Sequence, residues 1–87
     1  VLMLSQTLAV ELAPQNIRVN VLAPGNVITP MNDEFLSGPQ GEPIRNKIPL
    51  KRFAQPSDLD GAIVFFASSA SSYITGTCLV IDGGTLA

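Results

Sequence analysis

Few side chains in this sequence could do chemistry, and the best placed lie in one stretch, "LAPGNVITPM", from Leu22 to Met31. Pro24 fixes one backbone angle and removes a donor. Gly25 lets the chain turn with no side chain in the way, so a flat ligand ring could lie against the backbone. Just beyond, the backbone near Val27 and the hydroxyl of Thr29 could recognise an amide-like group. The plain alternative is a Pro-Gly turn that only redirects the chain. On this stretch alone both readings stay open.

The remaining reactive residue types read as structural. There is no histidine, so neither a histidine-bearing zinc site nor a Ser-His-Asp triad can be assembled. The single cysteine, Cys78, stands in an apolar run without a neighbouring base and reads as a small packed hydrophobe. One cysteine also excludes an internal disulfide and fits a reducing, cytoplasmic compartment. Asp33 and Glu34 are adjacent, so their carboxylates diverge on a helix or loop and read as solvated. Asp58 and Asp60 stand where negative charge favours a helix start. Asp82 reads as a strand terminator through turn hydrogen bonds, and Tyr73 as a turn or interface aromatic. Met31 and Phe35 are candidates for apolar residues over a substrate, with packing down onto the fold as the alternative.

The bulk numbers narrow the classes. In 87 residues, 46% are hydrophobic and only 14% charged, which is rich for so short a chain and predicts surfaces buried against something else. The net charge is −2, and Lys47, Lys51 and Arg52 flank one short loop. Nucleic acid is therefore a poor partner. No apolar run approaches the roughly 18 residues of a membrane span. The opening "VLMLSQTLAVELAP" lacks a basic flank and contains Glu11, so it is a poor signal peptide. The absent initiator methionine suggests a start within a longer protein.

The elements that must position these residues follow from periodicity. Val1, Leu4, Leu8 and Leu12 predict a helix over Val1 to Ala13, with Leu2, Met3 and Val10 adding apolar surface on other sides. Pro14 stops it. Ile17, Val19 and Val21 alternate with polar residues and predict a strand from Ile17 to Leu22. From Thr29 to Arg52 the chain is irregular, with short helical pieces around Asn32 to Leu36 and Glu42 to Asn46. A connection that long points to a functional lid or binding loop. Pro56 opens a second helix whose core stripe is Leu59, Ala62, Ile63, Phe66 and Ala67. Thr77 to Ile81 is a second strand, closed by Asp82-Gly83-Gly84. Two strands joined through a helix imply a parallel unit with a right-handed crossover. Parallel sheets are covered on both faces, so the chain is expected to be the C-terminal part of a larger doubly wound α/β domain, or to be completed by a partner. Ligands of such sheets sit beyond the carboxyl ends of the strands, where "LAPGN" stands.

"IRVNVLAPGNVITPM", "IPLKRFAQPSDLDGAIVFFAS" and "SYITGTCLVIDGG" resemble, in order and spacing, the C-terminal third of the classical short-chain dehydrogenase/reductases. The resemblance covers essentially the entire chain. It implies an α/β fold, the C-terminal portion of a doubly wound parallel-sheet (Rossmann) domain in the order helix, strand, lid, helix, strand. Residues 1–87 would form part of one NAD(P)-binding domain, with residues 29–52 as the substrate lid and the N-terminal part absent. Pro24 and Gly25 would line the nicotinamide of NAD or NADP. The Val27 backbone would bond the carboxamide, and Thr29 the carboxamide or the neighbouring phosphate. The first helix would lie in a subunit interface, implying a homo-oligomer, dimer or tetramer.

By the same resemblance the parent protein would move hydride between the nicotinamide and a small-molecule carbonyl or secondary alcohol. The wording of the lid is nearest to sugar or polyol dehydrogenases and 3-oxoacyl-carrier-protein reductases. The family's glycine-rich phosphate loop and its tyrosine followed four residues on by lysine are not in these residues. The one tyrosine, Tyr73, has Thr77 at that spacing. No catalytic role transfers, and no metal site is expected. The alternative is a non-catalytic truncated chain or interaction module.

Overall fold

The computed structural model describes residues 1–87. Its elements in order are α1 (Leu2–Leu12), β1 (Val21–Pro24), α2 (Asp33–Ser37), α3 (Gly41–Asn46), α4 (Asp60–Ala67) and β2 (Cys78–Ile81), with single 3-10 turns at Ala13–Gln15, Pro56–Leu59 and Ser69–Ser71. β1 and β2 pair in a two-stranded sheet. The Val21 N–H donates to the Thr77 carbonyl and the Gly25 N–H to that of Ile81, each at 2.9 Å. Both strands advance together along this ladder, so the pair is parallel, as the intervening helix requires. The residues gather into two compact units, Val1–Ala23 with Gly61–Val80 and Pro24–Asp60 with Ile81–Ala87.

In the first unit, α1 runs free of glycine and proline until Pro14 converts its end to a 3-10 turn. Asn16 follows at φ 63°, a left-handed position that asparagine tolerates better than most residues. Only Ala9 of α1 is buried. Of the expected stripe, Leu8 and Leu12 are half-buried, while Val1 and Leu4 are exposed. Met3 and Val10 on the other sides are exposed as well.

β1 begins at Val21, four residues later than the alternation predicts, and continues to Pro24. Side chains take the bonds a longer ladder would need. Thr75 Oγ1 accepts the Val19 N–H at 3.0 Å, and Asn20 Oδ1 accepts that of Thr77 at 3.1 Å. Pro24 sits at the exposed last position of the strand, where its missing donor costs least. The guanidinium of Arg18 ties the end of α4 to the turn that follows. Nη2 donates to the Phe66 carbonyl at 2.8 Å, and Nη1 to Ser71 Oγ at 3.0 Å and the Ile74 carbonyl at 3.3 Å. Ser71 is fully buried, its hydroxyl shared with the Phe66 and Ser68 carbonyls. The expected core stripe of α4 is only half realised. Ala62 and Phe66 are half-buried, but Ile63 is 52% exposed and no residue of the helix is buried. Nothing in these residues covers that side.

In the second unit the segment expected to be irregular supplies the buried core. Leu36 from the end of α2, Ile48 and Phe53 are buried together, with Ile28 and Ile44 packed against them. Burying each such side chain is worth about 1.5–3 kcal/mol over leaving it exposed. α2 and α3 match the short helical pieces expected there. Pro56 opens a 3-10 turn, and the α-helix proper starts only at Asp60. The Asp58 carboxylate accepts the Gln55 N–H at 2.8 Å, half of a capping box.

Candidate functional site: the Pro-Gly arc

The site candidates lie on an arc from Pro24 to Asn32, within the second unit. Gly25 is held tightly. Its N–H donates to the Ile81 carbonyl at 2.9 Å. A Cβ built on it would stand 2.9 Å from Asp82 Cβ and 3.0 Å from Asp82 Cα. The absence of a side chain is therefore demanded by the protein's own packing, whatever a ligand requires in addition. Asp82 is itself fixed, with its carboxylate oxygens accepting the N–H groups of Gly84 at 2.9 Å and Leu86 at 3.1 Å. Gly83 and Gly84 take positive φ of 64° and 96°. The Asp-Gly-Gly run closes the strand as expected and opens no helix, so it is no phosphate loop.

Beyond Gly25 the backbone is pinned on alternate sides. Ala54 forms a parallel bridge with Val27. The Ala54 N–H donates to the Asn26 carbonyl at 2.9 Å, and Ala54 accepts from the Ile28 N–H at 2.8 Å. In such a bridge the N–H and carbonyl of Val27 point away from Ala54. There the Val27 carbonyl accepts Asn32 Nδ2 at 3.0 Å, and Asn32 Oδ1 accepts the Thr29 N–H at 2.7 Å. The Thr29 carbonyl accepts the N–H groups of Asn32 at 3.1 Å and Asp33 at 2.9 Å. The Val27 N–H and the Thr29 hydroxyl have no partner within the chain. An uncommitted N–H at Val27 and an uncommitted hydroxyl at Thr29, both on half-buried residues, are a donor and an acceptor that a ligand amide could use.

Of the four sequence-predicted residues, Val27 and Thr29 thus carry uncommitted polar groups. Gly25 has a packing role, and Pro24 lies exposed at the end of β1. Asn32 was missed as a member of the arc. Its type signals a helix start, but nothing in the spacing says that its side chain turns back to Val27 and Thr29.

The other candidates behave as structural residues. A cavity of about 140 Å³ is bordered by Asn26, Ile48, Leu50, Arg52 and Asp82 and includes none of the four predicted residues. At its edge Arg52 Nη1 and Asp58 Oδ2 pair at 2.8 Å. The hydrogen bonds from Arg52 first, then the Gln55 N–H, hold the Asp58 carboxyl down at about 2. Cys78 is half-buried in β2, and no cluster of His, Cys, Asp and Glu could hold a metal. Met31 is 98% exposed and Phe35 is also exposed, lining an open groove with Glu34 and Pro39. No helix is long and apolar enough to cross a membrane.

The uncommitted groups form one small donor–acceptor set. It suits an amide, but no glycine-rich turn here opens a helix to cradle phosphates.

A family described as Enoyl-(Acyl carrier protein) reductase matches residues 1–85. The chain is 47% identical over 87 residues to D-arabinitol 2-dehydrogenase [ribulose-forming] of Scheffersomyces stipitis, covering 97% of this chain and 31% of that protein. Among solved structures, a short-chain type dehydrogenase/reductase from Mycobacterium marinum superposes with a TM-score of 0.84 at 41% identity, covering 97% of this chain and 32% of that one. A 4-hydroxyisoleucine dehydrogenase complexed with NADH gives a TM-score of 0.89 at 32% identity, covering 97% and 35%. The chain spans about a third of the length of the curated relatives it matches. These neighbours share the Rossmann α/β fold, of which the helices and parallel strand pair here are a part.

Proposed function

Because the chain belongs to the short-chain dehydrogenase/reductase family, we propose that it forms the nicotinamide-side wall and the lid of an oxidoreductase. Residues 1–87 are the C-terminal part of one NAD(P)-binding Rossmann domain, with residues 29–52 as the substrate lid. The parent protein transfers hydride between NAD or NADP and a carbonyl or secondary alcohol, that of a sugar or polyol or of a 3-oxoacyl thioester. One observation carries the reading: the Val27 N–H is left without a partner between two neighbours that are both pinned to Ala54. A nicotinamide carboxamide has the acceptor to meet it and a donor for the Thr29 hydroxyl. Pro24 and Gly25 offer a side-chain-poor backbone beside the ring.

The bound nicotinamide would supply the hydride. The residues present here would hold its carboxamide and cover the substrate. Proton transfer needs a tyrosine with lysine four residues on, and these 87 residues contain no such pair. The polyol class is supported by the likeness to a D-arabinitol 2-dehydrogenase. The exposed apolar residues of α1, Met3, Leu4 and Val10, suit a subunit contact in a homo-oligomer. The lone Cys78 suits a reducing, cytoplasmic setting.

The test uses the complete product of the reading frame that encodes these residues. It is assayed for oxidation of D-arabinitol and related polyols with NAD and with NADP, following the absorbance of the reduced nicotinamide. Thr29→Val is expected to raise the KM for the dinucleotide roughly threefold to tenfold, the loss of one hydrogen bond. Absence of turnover with polyols, sugars and 3-oxoacyl thioesters alike would overturn the proposal.

A further inference from the structure

We infer that Asn32 is a positioning residue, whose side-chain amide stands in for a missing neighbouring strand and fixes the backbone that sets the Thr29 hydroxyl relative to the Val27 N–H; this rests on the proposed nicotinamide site. Asparagine is a preferred residue at the start of a helix, where its side chain normally accepts an N–H of the first turn. Asn32 occupies that position at the head of α2 but makes no such bond. Its amide turns the other way. Oδ1 accepts the Thr29 N–H at 2.7 Å, and Nδ2 donates to the Val27 carbonyl at 3.0 Å.

A carbonyl at one residue and an N–H two residues on are what a parallel strand presents to one residue of its neighbour. Ala54 answers that pattern on one side, taking Asn26 and Ile28. Asn32 answers it on the other side, taking Val27 and Thr29, with a side-chain amide in the role of the peptide. On the side that Asn32 occupies, the Val27 N–H is left uncommitted, and so is the Thr29 hydroxyl. The Val27 N–H shares its peptide with the Asn26 carbonyl, which Ala54 holds, while Asn32 holds the peptides on either side of Ile28 through the Val27 carbonyl and the Thr29 N–H. Ala54 and Asn32 together fix the backbone from the Val27 N–H to Thr29. The α2 start is held instead by the Thr29 carbonyl, which accepts from both Asn32 and Asp33, so the arc and the first turn of the lid are one hydrogen-bonded piece.

The experiment compares two ligands on the complete product of the reading frame. NADH carries the nicotinamide carboxamide, and ADP-ribose lacks it. Binding is titrated for wild type, Asn32→Ala and Asn32→Asp. The aspartate variant retains an acceptor for Thr29 but places a carboxylate against the Val27 carbonyl, and serves if the alanine variant folds poorly. Both variants are expected to weaken NADH roughly tenfold, with ADP-ribose unchanged within about twofold. Equal weakening of both ligands would assign Asn32 a merely structural role and overturn the inference, as would unchanged NADH binding. Failure of the wild type to bind NADH would instead overturn the nicotinamide site, and the inference with it.

Discussion

Gly25 and Asp82 are packed so closely that a methyl group on the glycine would lie within 3.0 Å of the aspartate's Cα and Cβ. Asp82 cannot retreat, because its carboxylate is bonded to the N–H groups of Gly84 and Leu86. Gly25→Ala is therefore expected to destabilise by about 1–3 kcal/mol, the usual cost of overpacking. Thermal unfolding of the complete product measures it. An unchanged melting temperature would show that the two backbones separate freely.

Two other glycines separate packing from propensity. A Cβ on Gly41 would stand 1.9 Å from the Leu36 carbonyl oxygen, backbone against backbone, whereas one on Gly61 meets nothing within 4 Å. Gly41→Ala is expected to disrupt the junction of α2 and α3 and to expose that segment to limited proteolysis. Gly61→Ala, in the first turn of α4, should stabilise by about 0.5–1 kcal/mol. Opposite shifts in melting temperature check both.

Acid should act on Asp58. Arg52 and the Gln55 N–H hold its carboxyl below the ordinary value, at about 2. A depressed carboxylate contributes stability that is fully present above its unfolded pKa of about 4 and is lost as pH falls from there through about 2. Asp58→Asn should flatten the fall of melting temperature across that window. A variant profile parallel to the wild type would remove the pair from the account. The side chains are exposed, so the effect should also shrink in high salt.

Hydrogen exchange reads the arc directly. The Ile28 N–H donates to the Ala54 carbonyl and the Ala54 N–H to that of Asn26, so both amides should be protected, while the Val27 amide, bonded to nothing, should exchange faster. Adding NADH to the complete product should slow Val27 selectively. Exchange at Val27 that is slow without ligand would contradict the free donor.

The 87 residues expressed alone are expected to show no carbonyl reduction and to self-associate. Val1 at the head of α1, Met3, Leu4 and Val10 along it and Val64 on α4 are all more than 60% exposed, a large apolar load for the surface of so small a chain. Sedimentation and an NADH-dependent reduction assay check this. A monodisperse monomer at high concentration, or steady turnover, would refute it.

Much of this was legible beforehand, for physical reasons. Pro14, Pro56 and the Asp-Gly-Gly run punctuate the chain through backbone chemistry that needs no tertiary information. The short helices between Thr29 and Arg52 also announce themselves. The strand start was misplaced because Thr75 and Asn20 side chains, distant in sequence, take the bonds of Val19 and Thr77. The burial of Leu36, Ile48 and Phe53 was not legible, since their spacing follows neither period. The role of Gly25 was half read: the need for no side chain was visible, but the neighbour imposing it, Asp82, lies far along the chain.

The guanidinium of Arg18 bonds partners 48 to 56 positions later. Everything between must be synthesised before that knot can close, and the first unit is built from two segments with Pro24–Asp60 as an excursion between them. Loop closure over such separations is slow compared with helix formation. On a ribosome, α1 and β1 would therefore wait, with their apolar faces open, until residues Phe66 to Ile74 emerge to complete them.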